Sequence, residues 1–206
     1  MKHAFRFALA VLTIAALQAT VAFADPVTYS IDKSHTEVGF EIRHIFSKVQ
    51  GRFNSFTAKI VFDEKTPANI SVEASADANS IWTDNERRDG HLKSADFFDV
   101  EKYPVITFKS TKVVAAGKNK YKITGDFTMH GVTKPVTFDA EFLGAGAVGV
   151  GGQSWGTKAG FTATTVINRK DFGVSWNKAL DNGGAMLSDE VTINLNIEAD
   201  AVQAAK

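Results

Sequence analysis

The stretch Tyr121-Lys122-Ile123-Thr124-Gly125-Asp126-Phe127-Thr128-Met129 decides the fold. Its odd positions are apolar or glycine and its even positions are polar. A strand turns successive side chains to opposite faces, whereas a helix would need apolar residues three and four apart. The same period of two recurs on both sides. Toward the C-terminus, Val136, Phe138, Ala140 and Phe142 alternate with Thr137, Asp139 and Glu141. Ala159, Phe161, Ala163, Thr165 and Ile167 follow, and then Val191, Ile193, Leu195, Ile197 and Ala199 stand opposite Thr192, Asn194, Asn196 and Glu198. Toward the N-terminus, Val38, Phe40, Ile42 and His44 oppose Glu37, Gly39, Glu41 and Arg43. Shorter runs hold Ala58, Ile60 and Phe62, then Val72, Ala74, Ala76 and Ala78, then Ile106 and Phe108. About eight strands joined mostly by short polar turns predict an all-β, antiparallel sheet.

The punctuation fits that reading. A turn is expected around His130 to Pro135, and a loop from Phe46 to Arg52. Gly144, Gly146, Gly149, Gly151 and Gly152 predict a flexible hairpin loop, because Gly tolerates positive φ and brings no side chain to pack. One short helix is predicted from Asp84 to Lys93, with Asp84 as its N-cap and Asp84–Arg88 and Asp89–Lys93 at the i,i+4 spacing of helical ion pairs. It leads into Phe97 and Phe98, so it is expected to cap one end of the sheet with those rings turned inward.

Composition narrows the chemistry. The 206 residues contain 23 Lys and Arg against 23 Asp and Glu, so nothing offers the clustered positive charge that a nucleic-acid backbone requires. With no Cys, the chain has no thiolate nucleophile, disulfide or zinc knuckle. Lys2 and Arg6 precede an apolar run from Phe7 to Val21 that ends in Ala22-Phe23-Ala24, which reads as a cleaved secretory signal over residues 1–24. The mature chain, 25–206, is then one exported domain with no membrane-spanning helix.

Which face is apolar separates a water-soluble barrel from an outer-membrane one. Glu37, Glu41, Arg43, Lys59, Lys109, Lys122, Asp126, Asp139, Glu141 and Glu198 share the polar faces. Enclosing that many charges in a small lumen would cost several kcal/mol each, so they must meet water and the apolar faces must meet one another. An eight-stranded barrel is just wide enough to be filled by side chains or to hold one small ligand. Ala74, Ala76, Ala78, Gly125, Ala140, Ala159 and Ala163 leave room along the inner face, while Phe residues line it. Two readings therefore stand, a packed taper and an apolar ligand cavity. In the second, Phe at position 125 or 140 should fill the lumen.

The candidate lining is Phe40, Ile42, Phe97, Phe98, Phe108, Phe127, Phe138 and Phe161. His44 sits where a polar group could hold an amphiphile's head, with Gln50 or Arg52 as neighbours. Trp155, Phe172 and Trp176 read as core or rim aromatics, and Trp176 is kept with the lining set. His35, His44, His91 and His130 form no HxH or HExxH pair, and no Ser lies in a GxSxG elbow, so no metal ligand, cofactor or catalytic residue is assigned. Arg88, Asp89 and His91 read as a hydrogen-bond cluster tying the helix to the barrel rim.

Long strings in this chain resemble the YceI-like, polyisoprenoid-binding family. They are Asn85-Glu86-Arg87-Arg88-Asp89-Gly90-His91-Leu92-Lys93-Ser94-Ala95-Asp96-Phe97-Phe98-Asp99, then Tyr103-Pro104 and Phe108-Lys109-Ser110. The turn His130-Gly131-Val132-Thr133-Lys134-Pro135-Val136-Thr137 and the stretch Asn168-Arg169-Lys170-Asp171-Phe172-Gly173-Val174 match as well. The resemblance covers Asp25 to Ala201. It implies a lipocalin-like, eight-stranded antiparallel barrel in the periplasm whose hydrophobic pore takes an isoprenoid, a quinone or a fatty-chain lipid, without catalysis. Two other readings stay open: an enzyme acting on a lipid head group, and a ligand-free barrel serving a membrane redox partner. A homodimer is compatible with all three.

Overall fold

The computed structural model describes residues 26–202, so the expected signal segment lies outside the described residues. Its strands are β1 (Val27–Ile31), β2 (Glu37–His44), β3 (Ser47–Phe53), β4 (Phe56–Phe62), β5 (Ser71–Asp77) and β6 (Ile81–Trp82). After the helix α1 (Glu86–Lys93) come β7 (Val105–Gly117), β8 (Lys120–Met129), β9 (Val132–Val150), β10 (Gln153–Asn168) and β11 (Leu187–Ala201). All belong to one antiparallel sheet in the order β1-β4-β5-β7-β8-β9-β10-β11-β2-β3-β6, and β1 also pairs with β11, which closes the ring.

Eleven strands make eight walls because three walls are broken. β11 carries β1 through Ile31↔Ala199 and β2 through Glu37↔Asn196, so β1 and β2 are one bent strand. Its neighbour is β3 and β4, interrupted at Asn54 and Ser55. The next is β5 and β6, interrupted by the 3-10 turn Ala78–Ser80. Ala78, expected on a strand, lies in that turn instead and is fully buried, its N–H donating to Pro104 O. The bends let the wall lean over one end of the barrel, where α1 packs.

Two expected loops are strands. Ser47 to Phe53 pairs with β2 through every residue from His44↔Ser47 to Val38↔Phe53, leaving only Ile45 and Phe46 as the turn. The inward residues there are Val49, Gly51 and Phe53, and the central Gly51 hides the alternation. A Cβ at Gly51 would collide with the Phe40 ring across the strand pair. The Gly-rich segment likewise continues β9 and β10 up to a two-residue turn at Gly151 and Gly152, both at positive φ. A ladder needs only main-chain donors and acceptors, and β9 and β10 supply them to each other. The turn after β8 is tighter than expected: Met129 pairs with Val132, leaving His130 and Gly131, both at positive φ as a two-residue hairpin loop requires.

The helix starts one residue late. Asn85, not Asp84, is the N-cap, its side chain accepting from Arg88 N at 3.0 Å, while Asp84 is in the left-handed region. Neither expected ion pair forms, because Arg88 and Asp89 both turn to Thr83.

Alternation holds around the barrel. Along β9, Val136, Phe138 and Phe142 are buried and Thr137, Asp139 and Glu141 exposed. The outer face carries cross-strand ion pairs such as Lys109–Glu73 at 2.9 Å and Lys122–Asp139 at 2.6 Å, groups that seek water. Among the described residues no helix is long and apolar enough to cross a membrane. The closing seam is held by Lys158, whose Nζ lies 3.0 Å from Asp32 and Glu198 and 2.9 Å from Asp200. Those three carboxylates raise the Lys158 pKa, while hydrogen bonds from His35 and Lys158 hold Asp32 well below the usual carboxylate range.

Candidate ligand-binding cavity

The inner face is not filled. Phe40, Ile42, Phe98, Phe108, Phe161 and Leu195 point inward yet are only half-buried, and no large side chain among the described residues is wholly enclosed. They border two cavities, one of about 470 Å³ under α1 and one of about 160 Å³ further along the axis. Val38, Ala76, Ile106, Phe127 and Ile193 line both, so the cavities abut at a waist made by these five.

Each candidate from the sequence finds a place along this interior. Phe40, Ile42, His44, Phe97, Phe98 and Trp176 line the larger cavity, Phe108, Phe138 and Phe161 the smaller, and Phe127 the waist. Phe172 packs in the core against Phe127, ring centroids 5.4 Å apart, whereas Trp155 is exposed on β10 beyond the barrel wall. Gln50 and Arg52 do not join His44. Both are exposed, and Arg52 donates to Asn54 Oδ1 and stacks on Trp82, its guanidinium carbon 4.4 Å from the ring centroid.

The two cavities differ in polarity. The larger is bordered by His44, Thr83, Arg88 and His91 among its apolar walls. Thr83 is the knot of that rim. Its hydroxyl accepts from Arg88 Nε at 2.7 Å and donates to the buried Asp89 carboxylate, and its carbonyl accepts from Arg88 Nη2. This is the cluster expected to tie helix to rim, with His91 in a different part of it: His91 Nε2 pairs with Asp96 Oδ2 at 2.8 Å while its ring packs edge-on against Phe97 and Trp176. In the smaller cavity the polar neighbours Thr57, Thr107 and Glu141 are solvent-exposed and Thr36, Ser75 and Thr162 half-exposed, and the surface they leave to the interior is almost wholly hydrocarbon and aromatic ring.

Rings gather toward the far end. Phe62 lies 4.5 Å from Phe142 and 5.3 Å from Phe161, centroid to centroid, with Tyr121 edge-on to Phe62 at 5.8 Å and Tyr29 edge-on to Phe161 at 6.1 Å. Such tilted and edge-to-face packing is the favoured aromatic geometry.

Arg169 was not among the sequence candidates. It is buried, with Nη1 donating to Val174 O at 2.8 Å and Trp176 O at 2.9 Å, and Nε to Ser188 O at 2.9 Å, so it straps the Trp176 loop to the start of β11. Its Nη2 is enclosed and makes no hydrogen bond, 3.5 Å from Asp189, and burial lowers its pKa. Because its partners are main-chain carbonyls, no side-chain pattern could have announced it. Thr83 was missed for a similar reason, since it lies between a two-residue strand and a helix where no period can be read.

Among the described residues one group brings together donors that suit a cation: Asp32, His35 and Glu198, on the seam and outside the linings of the two cavities. The Lys158 ammonium already sits among these carboxylates, so the arrangement serves barrel closure.

The interior of Gly125 corrects one expectation. A Cβ there would strike the Phe108 ring and Lys109 O, so Gly125 is the seat of an aromatic neighbour and a Phe at this position would break the wall before filling any space. Ala140 lines the smaller cavity.

A closed eight-stranded antiparallel barrel, its apolar interior left open beneath one short helix, places this chain among the lipocalin-like barrels. The comparisons are more specific. The model of the YceI-like domain matches residues 29–199. A UPF0312 protein of Vibrio parahaemolyticus is 43% identical over 154 residues, covering 73% of this chain and 79% of its own. BcnA of Burkholderia cenocepacia superposes with a TM-score of 0.71 at 26% identity, covering 82% of this chain and 98% of that one. A polyisoprenoid binding domain from Saccharophagus degradans shares the fold at a TM-score of 0.60 and 14% identity, over 85% and 99% of the two chains. The chain belongs to the YceI-like family.

Proposed function

We propose that this protein is a periplasmic carrier that holds a long-chain amphiphile, an isoprenoid or a related lipid, along the barrel axis. The observation that carries the reading is the pair of abutting apolar cavities with His44, Arg88 and His91 bordering only the one under α1. A chain entering past His44, Arg88 and His91 exchanges water-exposed hydrocarbon for a desolvated wall, at roughly 25 cal/mol per Å² removed from water. The fold-sharing domain described as polyisoprenoid binding supports an isoprenoid guest, and the signal-like residues 1–24 support export. Binding without turnover fits the rim chemistry, where Arg88 is committed to Thr83 and His91 to Asp96.

The test is native mass spectrometry of protein purified without detergent from the cells that make it. The expected result is a discrete added mass that extraction identifies as a long-chain lipid. A bare protein that also fails to take up a polyprenyl phosphate, a quinone or a fatty amide would overturn the proposal.

A further inference from the structure

Among the described residues, the turn between β2 and β3 holds the most exposed large apolar side chain. Phe46 is 96% exposed, and the residues on either side of the turn, His44 and Ser47, both line the larger cavity. Ile45 is held at φ 50°, in the left-handed region that a β-branched residue seldom enters. A hairpin with positive φ at its first turn residue ordinarily places Gly there. Here the chain accepts local strain at a half-buried Ile45 and keeps the Phe46 ring in water beside it.

Basic residues lie on the rim near that tip. Arg43 Nη1 donates to Ile45 O at 3.0 Å. Ile45 N donates to Met186 O, and Met186 N donates to Lys178 O, so Lys178 lies one main-chain step further along the same rim. Lys48 is matched by Glu41 at 2.6 Å, but among the described residues neither Arg43 nor Lys178 is in a salt bridge. An exposed ring beside Arg43, with Lys178 further along the rim, its ammonium 6.0 Å from the Trp176 ring centroid, and neither cation in a salt bridge, is the chemistry of an interfacial anchor on an anionic lipid surface.

We propose that the Ile45-Phe46 tip docks the open end of the barrel onto an anionic phospholipid bilayer, with Phe46 entering the headgroup–acyl boundary and Arg43 and Lys178 against the lipid phosphates. The inference rests on the carrier reading, because it brings the polar end of the cavity against the surface from which an amphiphile would transfer. Among the described residues two other large rings are exposed: Trp82, which is stacked under Arg52, and Trp155, which lies beyond the Lys158↔Asp200 pair and so at the opposite end of the barrel. Trp155 serves as the internal control.

The experiment is flotation of the protein beginning at Asp25, which contains the whole closed barrel. One set of vesicles is phosphatidylethanolamine with phosphatidylglycerol and the other is phosphatidylcholine alone. The unaltered protein is expected to float with the anionic vesicles. Phe46→Ser should weaken this about tenfold, and Arg43→Gln or Lys178→Gln about fivefold each, on anionic vesicles only. Trp155→Ser should leave it unchanged. Circular dichroism of Phe46→Ser should match the parent, because its ring touches solvent. Failure of the unaltered protein to float, or its release by Trp155→Ser and not by Phe46→Ser, would overturn the docking surface. The carrier reading fails separately: a barrel that floats through Phe46 yet carries no lipid by native mass spectrometry keeps the surface and loses the cargo.

Discussion

The end of the barrel under α1 and the end beyond Ala159 are closed by different chemistry. Under α1, the closure is a lid of short segments: the helix pinned through Thr83 and Asp89, and the Trp176 loop pinned by Arg169. Polar side chains at this end border the cavity. Beyond Ala159, the rings of Phe62, Phe142, Phe161, Tyr121 and Tyr29 pack on one another, and the cavity beside them is lined almost wholly by apolar surface. Hydrogen-bonded lids can open by breaking a few bonds, whereas a ring stack opens only by exposing large apolar surface. On the carrier reading, a chain is expected to enter at the lid and stop at the rings.

That contrast makes substitutions at the two ends separable. Phe62→Ala should have the largest effect on stability, about 3–5 kcal/mol by urea denaturation, because it leaves a hole amid packed rings. A loss below about 1 kcal/mol would mean that the far end is not sealed. Asp89→Ala at the lid should lose about 1.5–3 kcal/mol, since Thr83 and Arg88 lose the carboxylate that anchors them. Ala140→Phe should destabilise by about 1–3 kcal/mol at most, and should shorten the chain the protein retains, read as a shift to lighter bound lipid. Unchanged lipid in a folded Ala140→Phe protein would show that the smaller cavity is not used. His44→Ala should stay within about 0.5 kcal/mol of the parent in stability and change only which head groups are held.

The seam gives a pH prediction independent of ligand. Asp32 is depressed in the folded state, so its contribution is present above the ordinary carboxylate pKa and is lost as pH falls through the lower folded value. Lys158 is raised, so its contribution is present below the ordinary lysine pKa and is lost as pH rises through the higher folded value. Thermal unfolding should therefore show a broad plateau that falls at both extremes. Lys158→Met should lower the plateau and flatten both flanks, and flanks left intact would separate the seam from barrel closure.

The walls of the barrel were legible because each inward position is one of a run, as in Val136, Phe138, Ala140 and Phe142. Their consequence, an interior lined by Phe with small residues between, could be read from the same runs. What escaped was structure set by the main chain. β3 was hidden because Gly51 stands where an apolar residue would have completed the period, and it must be Gly to let Phe40 lie across it. The extended β9–β10 ribbon was hidden because its ladder asks nothing of side chains. The lid was half-visible. Its helix and Phe97 carried signals, while Thr83 and Arg169 act through carbonyl groups and a single buried carboxylate that no spacing reveals.

The polarity order along the axis is tested most directly by nuclear magnetic resonance of the delipidated protein with stearate carrying a nitroxide either near its carboxylate or at its methyl end. The account predicts that the first probe broadens Ile42 and Leu187 at the lid, and the second broadens Ile60 and Ile197 beside the ring stack. Broadening in the reverse order, or confined to residues on the outer face, would contradict it.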